Sequence, residues 1–126
     1  MVVRIRGFPR PSYRVPTEEL AGSGTVLKSK IEMYLPVNDE SQQETFDKLF
    51  KAFATAFGGA TALPAVGGWI MKDGTLATDN ISILYSFVGR ITPAIKKWLR
   101  LEASIVRDML GEEAITIVYD GVVEFV

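Results

Sequence analysis

The chain has 126 residues, of which 48% are hydrophobic and 23% charged, and its net charge is −1. That suffices for one domain with its own core and favours neither an acidic nor a basic class of partner. Cys and His are both absent, which excludes disulfides, zinc sites built on nitrogen and sulfur, and thiol or Ser-His nucleophiles.

The first sixteen residues carry Arg4, Arg6, Arg10 and Arg14 and no acid. Pro9, Pro11 and Pro16 break this segment, so residues 1–24 are expected to form an extended basic arm, with a short edge strand over Val2 to Arg6 and a joint at AGSG. MVVRIRGFPRPSYR lacks the apolar core of a secretion signal, and no apolar run approaches a membrane span. A cytoplasmic protein is the expectation.

Residues 25–126 read as the folded domain. Thr25 to Val37 alternates as a strand, with Leu27, Ser29, Ile31, Met33 and Leu35 on one face and Val26, Lys28, Lys30, Glu32 and Tyr34 on the other. Ser41 and Glu44 have the spacing of a capping box, and Phe46, Leu49, Phe50, Phe53 and Phe57 make one helical stripe up to Gly58. Lys72-Asp73-Gly74 predicts a hairpin turn between short strands at 69–71 and 75–78, and Asn80 to Val88 predicts a further strand. Thr92-Pro93 starts a second helix, whose apolar stripe runs through Ile95, Trp98, Leu99, Ile105, Val106, Met109 and Leu110 to Gly111. Ala114 to Tyr119 and Val122 to Val126 flank Asp120-Gly121 as a terminal hairpin.

This order predicts an α+β fold: a ferredoxin-like βαββαβ sandwich, its antiparallel sheet covered by two helices on one face, with a C-terminal hairpin added. The strand at 80–88 is apolar on both sides, with Ile81, Ile83, Tyr85 and Phe87 alternating with Ser82, Leu84, Ser86 and Val88. A strand of that kind has both sides covered. The second side is left to the N-terminal arm or to another subunit; another subunit is the expected cover, and hence a homo-oligomer.

The run Gly58-Gly59-Ala60-Thr61, then Gly68-Trp69, then Asp73-Gly74, then a strand containing Tyr85 resembles a pattern of small bacterial and phage ferredoxin-like proteins of unassigned activity. The resemblance spans most of residues 25–126. It implies the fold and no activity.

Glycine pairs can cradle phosphate, but Gly58-Gly59 follows a helix, Gly67-Gly68 precedes a strand, and no Lys stands ready to meet phosphate. A helix cap at Gly58, and at Gly67-Gly68 a bulge or a close backbone approach near Trp69, are the better reading. Glu102 is expected within the apolar stripe of the second helix, where a lone carboxylate is costly unless paired or put to use. The carboxylates Asp79, Asp108, Glu112, Asp120 and Glu124 are expected on solvated surface, and neither a metal nor a cofactor is expected. The main expectation is a non-enzymatic homo-oligomeric protein that holds a partner protein or small molecule at a subunit interface or on the sheet face. Glu102, Tyr85, Trp69 and Tyr34 are its candidate contacts. The alternatives are a small enzyme in which Glu102 works as acid or base with Tyr85 or Tyr34, and a nucleic-acid-binding regulator. In the latter, Arg4, Arg6, Arg10 and Arg14 meet phosphates, and Lys96, Lys97, Arg100 and Arg107 extend the surface.

Overall fold

A computed structural model describes residues 26–126. The basic arm, with Arg4, Arg6, Arg10 and Arg14, lies outside the described residues. The elements are β1 (Ser29–Pro36), α1 (Glu40–Phe57), β2 (Thr61–Ile70), β3 (Leu76–Val88), α2 (Pro93–Leu110), β4 (Thr116–Tyr119) and β5 (Val122–Phe125). They form one five-stranded sheet in the order β2-β3-β1-β4-β5, antiparallel at every pairing. Both helices lie on one face. This is the expected α+β, ferredoxin-like arrangement, with β5 added beside β4. No helix among the described residues is long and apolar enough to cross a membrane.

The core lies between helices and sheet. Ile31, Met33 and Leu35 of β1, Ala62 of β2, Leu84 of β3 and Ile117 of β4 are all buried beneath Phe46, Leu49, Phe50 and Phe53 of α1 and Leu99, Ala103 and Val106 of α2. Each fully buried Leu, Ile or Phe contributes about 1.5–3 kcal/mol by leaving water. Trp98 joins the helices, its ring centroid 5.7 Å from that of Phe53 and 5.3 Å from that of Phe57.

The helix ends follow local chemistry. Gly58 and Gly111 terminate α1 and α2 with φ of 79° and 67°, a region that a Cβ disfavours. Thr92 caps α2 by accepting from the Ile95 amide, with Pro93 following. The cap of α1 differs from expectation. Asp39, not Ser41, accepts from the Gln42 amide, and Gln42 Oε1 accepts in turn from the Asn38 amide. A charged carboxylate at the positive end of the helix outcompetes the serine hydroxyl two residues later.

The glycine-rich stretch also differs. It is a ten-residue edge strand, paired without a bulge from Thr61↔Tyr85 to Ile70↔Leu76, and the segments expected at 75–78 and 80–88 are one strand. Pro64 is tolerated because β2 is an edge. Gly67 leaves room for its neighbour: a Cβ there would lie 2.6 Å from Ile81 Cδ1, so a larger residue would have to displace the tip of that side chain. The turn is fixed by Asp73 Oδ1, which accepts from the Thr75 hydroxyl at 2.6 Å and the Thr75 amide at 2.9 Å. Because β1 reaches only to the Pro36↔Ile81 pair, the outer part of the β2–β3 hairpin projects beyond the sheet.

Candidate functional site

A cavity of about 410 Å³ opens at the base of this projection, where the hairpin passes the first turn of α1. Its apolar walls are Val37, Pro64, Ala65, Val66 and Ile81, and its polar groups are Gln43 and Asn80. The volume falls in the range of roughly 300–1,000 Å³ typical of small-molecule sites.

The polar rim is held by a small network. The Val37 amide donates to the Asn80 carbonyl at 2.9 Å, and the Asn80 amide donates to Asn38 Oδ1 at 2.8 Å. Asn38 Nδ2 donates to Asp79 Oδ1 at 3.0 Å, which fixes a half-buried carboxylate next to the cavity-lining Asn80. Gln43 Nε2 is engaged by Asp47 at 3.0 Å. The Asn80 carboxamide has no hydrogen-bond partner among the described residues, so it offers an adjacent donor and acceptor toward whatever enters. That pairing of one free amide with apolar walls suits a flat heterocycle with its own alternating donors and acceptors.

The residues singled out in the sequence do not converge there. Tyr34 and Tyr85 lie on the sheet face away from the helices, as their register with Ile83 and Glu32 requires. Glu102 lies on the helix side, so within one chain it cannot share a substrate with either tyrosine. It is half-buried, one turn beyond Trp98. The buried centre of α2 runs through Leu99, Ala103 and Val106, which leaves Glu102 at the margin and Ile105 and Met109 exposed at 45% and 60%, contrary to the expected stripe. Trp69 is half-exposed on the projecting hairpin, opposite Ala77.

Arg100 and Lys96 of α2 are engaged at the sheet's other edge. Arg100 Nε donates to both oxygens of Glu124 at 3.0 Å, and Tyr119 donates its hydroxyl to Glu124 Oε1 at 2.8 Å. Lys96 Nζ stands 5.2 Å from the Tyr119 ring centre, and Arg107 pairs with Asp108. The hydrogen bond from Arg100 holds the Glu124 carboxyl below its ordinary range, against the opposing effect of burial. Burial, then the hydrogen bond and charge of Glu124, push the Tyr119 hydroxyl up to about 12. This triad ties α2 to β4 and β5.

Sequence reasoning missed the cavity. Its walls come from the end of β1, the first turn of α1, the middle of β2 and the middle of β3, and only the long β2–β3 register brings them together. The one usable signal was Asn80 standing at the head of an apolar strand.

No protein-family model matches the chain, and no curated protein matches it. Among solved structures, a phage SAM lyase in complex with S-methyl-5′-thioadenosine is similar, with a TM-score of 0.55 at 10% identity, over 78% of this chain and 88% of that one. A phage SAM lyase in the apo state matches with a TM-score of 0.48 at 11% identity, over 76% and 83%. The first likeness shows a shared fold. It also corrects the expectation of a non-enzymatic binder, because the solved neighbour with this fold is an enzyme.

Proposed function

We propose that the chain is a small enzyme that binds an adenosyl sulfonium substrate in the hairpin-base cavity and cleaves it as a lyase, with S-adenosylmethionine the first substrate to test. The observation that carries the reading is the cavity itself, apolar on its walls, with the free Asn80 carboxamide at its rim. Asn presents to adenine the donor and acceptor that its N7 and N6 amino group require. The phage lyase contributes the choice of substrate, as an analogy of fold.

The chemistry suits a chain without His or Cys. In a lyase reaction on a sulfonium, the carbon–sulfur bond breaks with its electron pair moving to sulfur. S-methyl-5′-thioadenosine leaves neutral, while a base takes a proton from the carbon adjacent to the broken bond and that C–H pair becomes the carbon–carbon double bond of the departing fragment. Positive charge fades along this path. The walls are partly open to solvent, Val66 being 70% exposed, so the gain in rate comes from the part of the sulfonium that the apolar walls cover, where the charged ground state is disfavoured more than the transition state. The Asp79 carboxylate, held by Asn38 and next in the chain to Asn80, is the base to test.

The test is incubation of the purified chain with S-adenosylmethionine, with S-methyl-5′-thioadenosine followed by chromatography against a buffer control. Formation above the control is expected, falling at least tenfold in Asn80→Leu and in Val66→Trp, which fills the cavity. Release no faster than in buffer, together with no calorimetric binding of S-methyl-5′-thioadenosine, would overturn the proposal.

A further inference from the structure

The sheet face away from the helices carries apolar side chains on all five strands. Leu63, Phe87, Val123 and Phe125 are exposed at 42%, 51%, 53% and 72%, while Ile83 and Tyr85 are half-buried. Their shared face follows from register: Leu63↔Ile83 and Thr61↔Tyr85 across β2 and β3, Lys30↔Phe87 and Glu32↔Tyr85 across β3 and β1, Glu32↔Val118 and Val118↔Val123 across β1, β4 and β5. Val118, between Glu32 and Val123, is buried at 6%, so the exposed apolar residues form two flanks, on β2–β3 and on β5, about the charged centre of β1. Exposed apolar surface on one face marks an interface.

Its charges say what covers it. Lys30 and Glu32 both sit on β1, the middle strand of the five, one of each sign and two residues apart on the same face. Lys30 Nζ rests 4.2 Å from the centre of the Tyr85 ring, and the Glu32 carboxylate has no ion pair or hydrogen bond among the described residues. A plus and a minus at positions i and i+2 are self-complementary. A two-fold axis across β1 at Ile31 sets Lys30 of one copy against Glu32 of the other, twice, within apolar surroundings. Face-to-face packing of two twisted sheets at about 30° and 10 Å permits that approach, and an isologous contact requires that residue i meet j while j meets i.

We infer that this face is covered by a second copy of the same chain, registered by reciprocal Lys30–Glu32 pairs. The inference is independent of the nucleoside reading, because the cavity lies at the α1 side of the hairpin base and association is measured without substrate.

The test is light scattering and sedimentation of the full chain at micromolar concentration. A mass at least twice 13.9 kDa is expected. Lys30→Glu and Glu32→Lys, which set like charges against each other, should each weaken association at least tenfold, and the double exchange Lys30→Glu/Glu32→Lys should restore it. Glu32→Gln keeps shape and removes charge, so it reports weakened association even if a reversal fails to fold. Circular dichroism and a melting curve establish folding of each variant. A monomeric wild type would overturn the inference, as would a monomer whose apolar face becomes dye-accessible only after residues 1–24 are deleted, which would make the arm the cover. A double exchange as monomeric as the single ones, or single variants with unchanged mass, would overturn it too.

Discussion

The two sides of β3 invert the usual rule. Beneath the helices stand Ser82, Leu84, Ser86 and Val88, all buried, while Ile81, Ile83, Tyr85 and Phe87 face away from the helices and are half-buried or exposed. The covered side is the less apolar of the two. Bulk explains the choice, because Phe46, Phe50 and Phe53 of α1 need room above the sheet and two serines supply it. Ser86 fits without penalty, since its hydroxyl donates to the Gly59 carbonyl at 2.6 Å. The Ser82 hydroxyl is buried with no partner among the described residues. The covered side is thus tuned to the volume of its own helices, and the other side keeps the large side chains for something outside the monomer fold.

Phe53→Ala should separate the two sides of the sheet most sharply. It empties the covered side of a fully buried ring and should cost about 3–5 kcal/mol in urea unfolding. The same truncation on the other side, Phe87→Ala, should cost about 0.5–1.5 kcal/mol at concentrations where the chain is monomeric, mainly its ring contact with Tyr85. Equal costs would mean that the two sides are equally part of the monomer's core.

Ser86→Ala comes next, with a loss of about 1–3 kcal/mol, because the Gly59 carbonyl is left without its donor. Ser82→Ala should act with the opposite sign. Removing a buried hydroxyl that has no partner should raise stability by about 1 kcal/mol, visible as a higher melting temperature. Two serines on one strand face, changed identically, should therefore move the transition in opposite directions.

The smallest effect is on pH dependence at the β4–β5 edge. Tyr119 has its hydroxyl raised from about 10 to about 12, so its contribution is complete below pH 10 and declines as pH rises toward 12. Glu124 is shifted the other way. Its contribution is present above the ordinary carboxylate range and is lost as pH falls through the lowered value. Unfolding followed across pH should show both limbs, with Tyr119→Phe flattening the alkaline one and Glu124→Gln the acid one.

How far the sequence carried these conclusions depends on what each residue needed to know. Period-two alternation in β1 and β3 and the phenylalanine stripe of α1 depend on local geometry, so faces and layers were legible. The same holds for the turns at Asp73-Gly74 and Asp120-Gly121. Strand β2 was not legible, because Pro64, Gly67 and Gly68 all argue against a strand when considered singly. What decides there is tertiary: an edge position that frees Pro64 from donating, and the Ile81 side chain occupying the space where a Gly67 side chain would be. Glu102 was misjudged for a related reason. The helical stripe spans a wide arc, and only packing shows that its centre follows Ala103. The cavity was illegible because its walls come from four separate stretches of the chain.

The long β2–β3 pairing also bears on the order in which the molecule assembles. These two strands are consecutive, joined by a turn that Gly74 fixes with φ of 89° and Asp73 braces through Thr75. Strand β1, by contrast, must find β4 from the far end of the domain. Closing a short loop costs far less chain entropy than closing a long one, and a hairpin forms within microseconds. The hairpin is therefore an early event on the folding path, and β1–β4 pairing a late one. Substitution of Gly74 should slow refolding more than it speeds unfolding, whereas truncation of Ile117 should do the reverse.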